Sequence, residues 1–109
     1  MKSEAKNDLL HQLIKCITAC ETCATMCINE GSEGKAVCIN TDRDCADLCA
    51  LLTRYIGRNS QFTDETMKMA VGVIKKCEAE CRKHDDDHCQ KCAEVCHATH
   101  KALEEFQSR

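Results

Sequence analysis

Apolar residues and cysteines recur along this chain at alternating intervals of three and four. Leu9, Leu13, Cys16, Cys20, Cys23 and Cys27 set the rhythm, and Cys38, Cys45, Cys49, Leu52 and Ile56 repeat it. Met67, Ala70, Ile74, Cys77 and Cys81 form a third run, with His84 next in register. The fourth is Cys89, Cys92, Cys96, then Thr99 or His100, Leu103 and Phe106. A 3.5-residue repeat gathers such positions into a narrow seam on one side of a helix, the kind that packs in bundles.

Punctuation falls only between the runs, at Gly31-Ser32-Glu33-Gly34, at Gly57-Arg58-Asn59-Ser60 and at Lys83-His84-Asp85-Asp86-Asp87-His88. The pattern predicts helices over residues 4–30, 35–57, 63–84 and 86–107. Thr63, followed by Asp64 and Glu65, reads as an N-cap with acidic residues in the first turn, and one of Asp85, Asp86 and Asp87 as the cap of the last helix. Short connections predict an all-α, antiparallel, up-down-up-down four-helix bundle, with residues 1–109 as one domain.

In that arrangement the cysteines converge. They occupy the end of helix 1, the start of helix 2, the end of helix 3 and the start of helix 4, which lie together at one end of the bundle. The opposite end receives Leu9, Leu10, Leu13, Ile14, Leu51, Leu52, Ile56, Met67, Val71, Ile74, Leu103 and Phe106. The seam divides into a thiol-lined half and an aliphatic half.

Composition supports this outline and narrows the function. The chain has no proline, four glycines and three aromatic residues among 109, which disfavours a β-sandwich or barrel. Its net charge is -3, with no basic stripe to neutralise phosphates, so no nucleic-acid partner is expected. No apolar run is long enough to span a membrane, and the first residues lack the apolar core of a signal peptide. With twelve cysteines, a secreted chain would suggest a disulfide scaffold; here the expectation is a reducing cytoplasm, where thiols stay free or bind metal.

Ten cysteines form five CxxxC pairs: Cys16/Cys20, Cys23/Cys27, Cys45/Cys49, Cys77/Cys81 and Cys92/Cys96; Cys38 and Cys89 complete the set. Helical residues four apart have Cβ atoms roughly 5–6 Å apart, too far for an easy disulfide but suited to one ion between two sulfurs. Thiolates select Cu(I), zinc or iron–sulfur clusters. Structural zinc takes a closed tetrahedron, commonly from loop knuckles, and clusters commonly use C-x2-C-x2-C runs. Cu(I) accepts two or three thiolates, and bridging sulfurs raise capacity towards about one ion per cysteine. A non-enzymatic protein binding several Cu(I) ions is therefore expected. A zinc or iron–sulfur module and a thiol redox sensor remain alternatives, with Cys89, near the start of helix 4, the candidate reactive thiol. One or two seam cysteines would be ordinary core residues; twelve in register at one end are not.

Other side chains carry weaker signals. His84 and His88 flank the last turn at the thiol end, either as a metal entrance or as solvated loop residues. His100 continues the helix 4 seam, as a boundary of the thiol region or as a packed core histidine. His97 and His11 read as surface residues, Met26 as packing beside the seam, and Asp85-Asp86-Asp87 as caps and solvated charge. No constellation supplies the positioned base and oxyanion donors of acyl chemistry.

Two stretches, Cys38-Ile39-Asn40-Thr41-Asp42-Arg43-Asp44-Cys45-Ala46-Asp47-Leu48-Cys49-Ala50 and Cys81-Arg82-Lys83-His84-Asp85-Asp86-Asp87-His88-Cys89-Gln90-Lys91-Cys92-Ala93, carry a further signal. In them, and across nearly the whole chain, the sequence resembles the cytosolic branch of the bacterial copper storage proteins. The resemblance implies a bundle whose core cysteines hold many Cu(I) ions, a storage or detoxification role, histidines at the mouth and a homotetramer. It carries Cys38, Cys45, Cys49, Cys81, Cys89, Cys92 and Cys96 over as ligands. The sequence departs from that pattern where Met67, Ala70, Ile74, His100 and Leu103 replace further thiols. A smaller capacity is expected, which leaves sensing or chaperoning open beside storage.

Overall fold

The structure, a computed structural model, describes residues 3–108. Four helices account for almost all of them: α1 (Ser3–Asn29), α2 (Ala36–Gly57), α3 (Thr63–Arg82) and α4 (Asp87–Gln107). Each helix packs on the next and α4 closes back on α1, giving the antiparallel bundle expected from the short connections, 43 × 19 × 19 Å in extent.

Backbone chemistry at the turns fixes where each helix stops. After α1, Gly31 adopts φ 96°, its N–H donates to the Ile28 carbonyl, and Ser32 N–H reaches back to the Cys27 carbonyl at 3.0 Å. That pair of bonds is a Schellman closure, which needs a left-handed residue and so favours glycine. The same closure ends α2, but at Asn59 (φ 54°) and not at Gly57: Asn59 N–H donates to Ile56 O and Ser60 N–H to Tyr55 O. The helix runs through Gly57, and asparagine tolerates the left-handed turn well enough to end it two residues later.

The expected caps differ. Thr63 is the first helical residue of α3, not its N-cap; Phe62 holds the cap position with no side-chain bond, and the Thr63 hydroxyl donates to the Ser60 carbonyl at 2.7 Å. Asp86 does precede α4, yet its carboxylate accepts from Lys35 at 2.6 Å instead of capping the helix. Gln90 meanwhile turns back and donates to the His84 carbonyl at 2.6 Å, covering the exposed end of α3.

The core follows the seam. Leu9, Leu13, Leu52, Ile56, Met67, Ala70, Ile74 and Leu103 are buried in one half, and all twelve cysteines are buried in the other. Leu10, Leu51, Val71 and Phe106 are only partly covered, and Ile14, expected in the core, lies half exposed on the outer face of α1. About three or four residues in every two turns of such a helix face the core, and Ile14 falls just outside that stripe beside Leu13.

Candidate metal centre

Each helix delivers its cysteines to the axis through the same three-four spacing. α1 supplies Cys16, Cys20, Cys23 and Cys27, and α2 supplies Cys38, Cys45 and Cys49. α3 gives Cys77 and Cys81, and α4 gives Cys89, Cys92 and Cys96. All are free. The sulfurs approach across the bundle at 3.8–4.0 Å, as in Cys38–Cys81, Cys23–Cys89, Cys20–Cys92, Cys20–Cys77, Cys20–Cys96 and Cys16–Cys45. These separations are about twice a disulfide bond length and match two sulfurs sharing an ion.

The sulfurs fall into four-membered groups, each with its ligand atoms within 4.8 Å of one another, that overlap end to end. At the mouth stand Cys23, Cys27, Cys38 and Cys89. Cys23 recurs in the next group with Asp42, Cys81 and Cys92; Cys92 recurs with Cys20, Cys77 and Cys96; and Cys20 and Cys96 recur with Cys16 and Cys45. Cys49 lies beside Cys16 and Cys45 at the inner end. The result is one continuous chain of sulfur from the loops to the middle of the bundle. Below it, buried Thr99 and Ile74 begin the layers without thiols, and Gln12 donates to the Thr99 hydroxyl at 2.9 Å.

Asp42 was absent from the candidates, although it fills the register position between Cys38 and Cys45. It is fully buried in the thiol half. Its Oδ1 accepts from Cys77 at 3.2 Å, Cys81 at 3.4 Å and Cys92 at 3.5 Å, and its Oδ2 from Cys38 at 3.9 Å. Burial, together with the neighbouring Cys92 and Cys77, pushes its carboxyl up to about 10, so the empty centre holds it as a neutral acid. A charged residue interrupting an otherwise apolar seam was the available signal.

Thiol protonation follows position. At the mouth, burial raises Cys27, and it raises Cys89 to about 12. Deeper in, the thiols share protons around Cys20. Its S–H contacts lower Cys16, Cys77 and Cys92, while Cys20 itself is raised, chiefly by Cys16. An uncompensated set of buried thiolates would be costly, so the empty centre is mostly protonated.

The two mouth histidines differ. His88 is nearly buried, with Nε2 3.4 Å from Cys27 Sγ and 3.4 Å from a Glu30 carboxylate oxygen. His84 stands back from the sulfurs with its Nε2 on Glu80 Oε2 at 3.1 Å. Lys35, missed because a loop lysine ordinarily reads as solvated, lies across the opening. Its ammonium donates to Asp86 and approaches Cys89 Sγ at 3.7 Å. The Asp86 bond raises its pKa. Met26 is exposed, outside the sulfur chain.

A family model described as copper storage protein matches residues 2–108. The chain belongs to the copper storage protein family. Among curated proteins, it is 40% identical over 83 residues to an uncharacterised cysteine-rich protein of Bacillus subtilis, covering 75% of this chain and 77% of that one. A Cu(I)-bound copper storage protein has 33% identity and a TM-score of 0.88, covering 93% of this chain and 96% of that one. The apo form of copper storage protein 3 from Bacillus subtilis has 35% identity and a TM-score of 0.84, with coverage of 96% and 98%. A cytosolic copper storage protein from Streptomyces lividans, solved with five coppers, has 29% identity and a TM-score of 0.91, with coverage of 97% and 94%. Within this family fold, the present chain confines its thiols to half the bundle's length.

Proposed function

We propose that this copper storage family member holds several Cu(I) ions per chain as a cytosolic store or buffer. It acts as a binding protein and not as a catalyst. The ligands are Cys16, Cys20, Cys23, Cys27, Cys38, Cys45, Cys49, Cys77, Cys81, Cys89, Cys92 and Cys96, with His88, and then His84, receiving metal at the mouth. Asp42 joins them as an oxygen contact within the second group.

The observation that carries this reading is the overlap of the sulfur groups through Cys23, Cys92, Cys20 and Cys96. Shared sulfurs let neighbouring ions be bridged, which suits Cu(I) and has no use in isolated closed zinc sites. Each thiolate cancels one monovalent ion, so filling discharges protons without stranding charge. Free thiols kept for metal imply a reducing compartment, and the Streptomyces lividans relative is cytosolic. The family resemblance supports a homotetramer, and the whole chain acts as a single metal-binding domain.

An anaerobic Cu(I) titration of the reduced protein against a chromophoric chelator tests the reading. More than about four tightly held ions per chain are expected, because closed four-ligand sites would exhaust twelve thiols near three. Saturation at three or fewer would refute the bridged store. Light scattering of the loaded protein should give the mass of four chains.

A further inference from the structure

Outside the sulfur chain, α3 and α4 bring a second donor set together. Glu78 follows Cys77 and His97 follows Cys96, so both point to the flank of the seam, and His100 lies one turn beyond. His100 Nε2 is 2.8 Å from Glu78 Oε1, and His97 Nδ1 is 3.0 Å from Glu78 Oε2. The two rings meet edge to face with centroids 5.2 Å apart. Ligand atoms of Glu78, His97 and His100 all lie within 4.8 Å of one another.

We propose that Glu78, His97 and His100 form a separate site for one divalent borderline cation of the zinc class. Two imidazoles and a carboxylate suit such an ion, whereas Cu(I) prefers the thiols. Ligands about 2.0–2.1 Å from a tetrahedral ion stand roughly 3.3 Å apart, so the His100–Glu78 spacing need open by only about half an ångström.

The surroundings supply what a metal-bound histidine requires. Nδ1 of His100 is 2.6 Å from Glu104 Oε1, leaving Nε2 to face the ion in a carboxylate–histidine–metal arrangement. Lys75 holds the other Glu104 oxygen at 3.1 Å. Arg82 donates from Nε at 3.1 Å and from Nη2 at 2.8 Å to Glu78 Oε2, fixing the carboxylate and leaving Oε1 as the oxygen turned to the ion. His100 is buried and His97 is half exposed, which gives the ion a rigid inner ligand and an entry path with room for water. The fixed charges facing the site, Arg82 and Lys75 against Glu78 and Glu104, balance before the ion arrives.

The test uses protein first saturated with Cu(I), so that the thiols are occupied. Zinc is then added anaerobically and measured by equilibrium dialysis. One zinc per chain is expected with no copper released, and the His97 and His100 ring nitrogens should shift in nitrogen-15 NMR spectra. His97→Ala and Glu78→Gln should each weaken zinc binding by about tenfold or more while copper capacity stays unchanged. His97 is half exposed and Glu78→Gln keeps its shape, so both variants should fold. No bound zinc, zinc bound equally by both variants, or zinc bound at the expense of copper would each overturn the proposal.

Discussion

At the scale of single residues, Asp42 departs most from the rest of the core. Its carboxyl ordinarily ionises near 3.8, and in the empty bundle that value rises to about 10. Between those values the folded chain keeps a proton that the unfolded chain gives up, so stability falls as pH rises through the window. The contribution is complete below about 3.8 and gone above about 10. Asp42→Asn should therefore flatten the pH dependence of unfolding. In reduced, metal-free protein between pH 5 and 9, the difference in slope should approach, and not exceed, about 1.4 kcal/mol per pH unit. Urea titrations at several pH values would measure it, and equal slopes would mean that Asp42 is already ionised. Asp42 could have been found in the sequence, since it sits in register. Lys35 and the Glu78–His97–His100 cluster could not, because their meaning comes from neighbours more than fifty and about twenty residues away.

At the scale of helices, the seam was legible because one physical rule, burial every 3.5 residues, governed every position of it. The ends were less legible, since several residue types satisfy the same turn. α2 ends at Gly57 as expected, but the left-handed turn of the break falls on Asn59; Thr63 looked like a cap and Ser60 receives its hydroxyl instead. Two glycines separate these roles. Gly31 has φ 96°, so Gly31→Ala should destabilise the empty protein by about 1–2 kcal/mol through backbone strain. Gly72 lies exposed within α3 with open space around it, so Gly72→Ala should stabilise by about 0.8–1.0 kcal/mol. Thermal and denaturant unfolding of the two variants should move in opposite directions.

At the scale of the molecule, the two halves divide labour. The aliphatic half should hold the fold when the thiols are empty. Leu52 is fully buried there, and Leu52→Ala should cost about 2–5 kcal/mol in the empty protein. Copper stoichiometry should be unaffected, because every sulfur group lies above that layer. Cu(I) binding only the folded chain should raise the melting temperature of both proteins and leave the gap between their stabilities unchanged. Calorimetry before and after loading checks this. A variant that lost copper capacity as well would show that the halves are mechanically joined.

The sulfur chain begins at the loops and stops dead at Thr99 and Ile74, so it has a mouth at one end and a blind wall at the other. Copper withdrawn through the mouth should therefore come first from around Cys27 and Cys89 and last from around Cys16 and Cys45, a slow reserve behind ready change, which stepwise removal by a chelator would resolve.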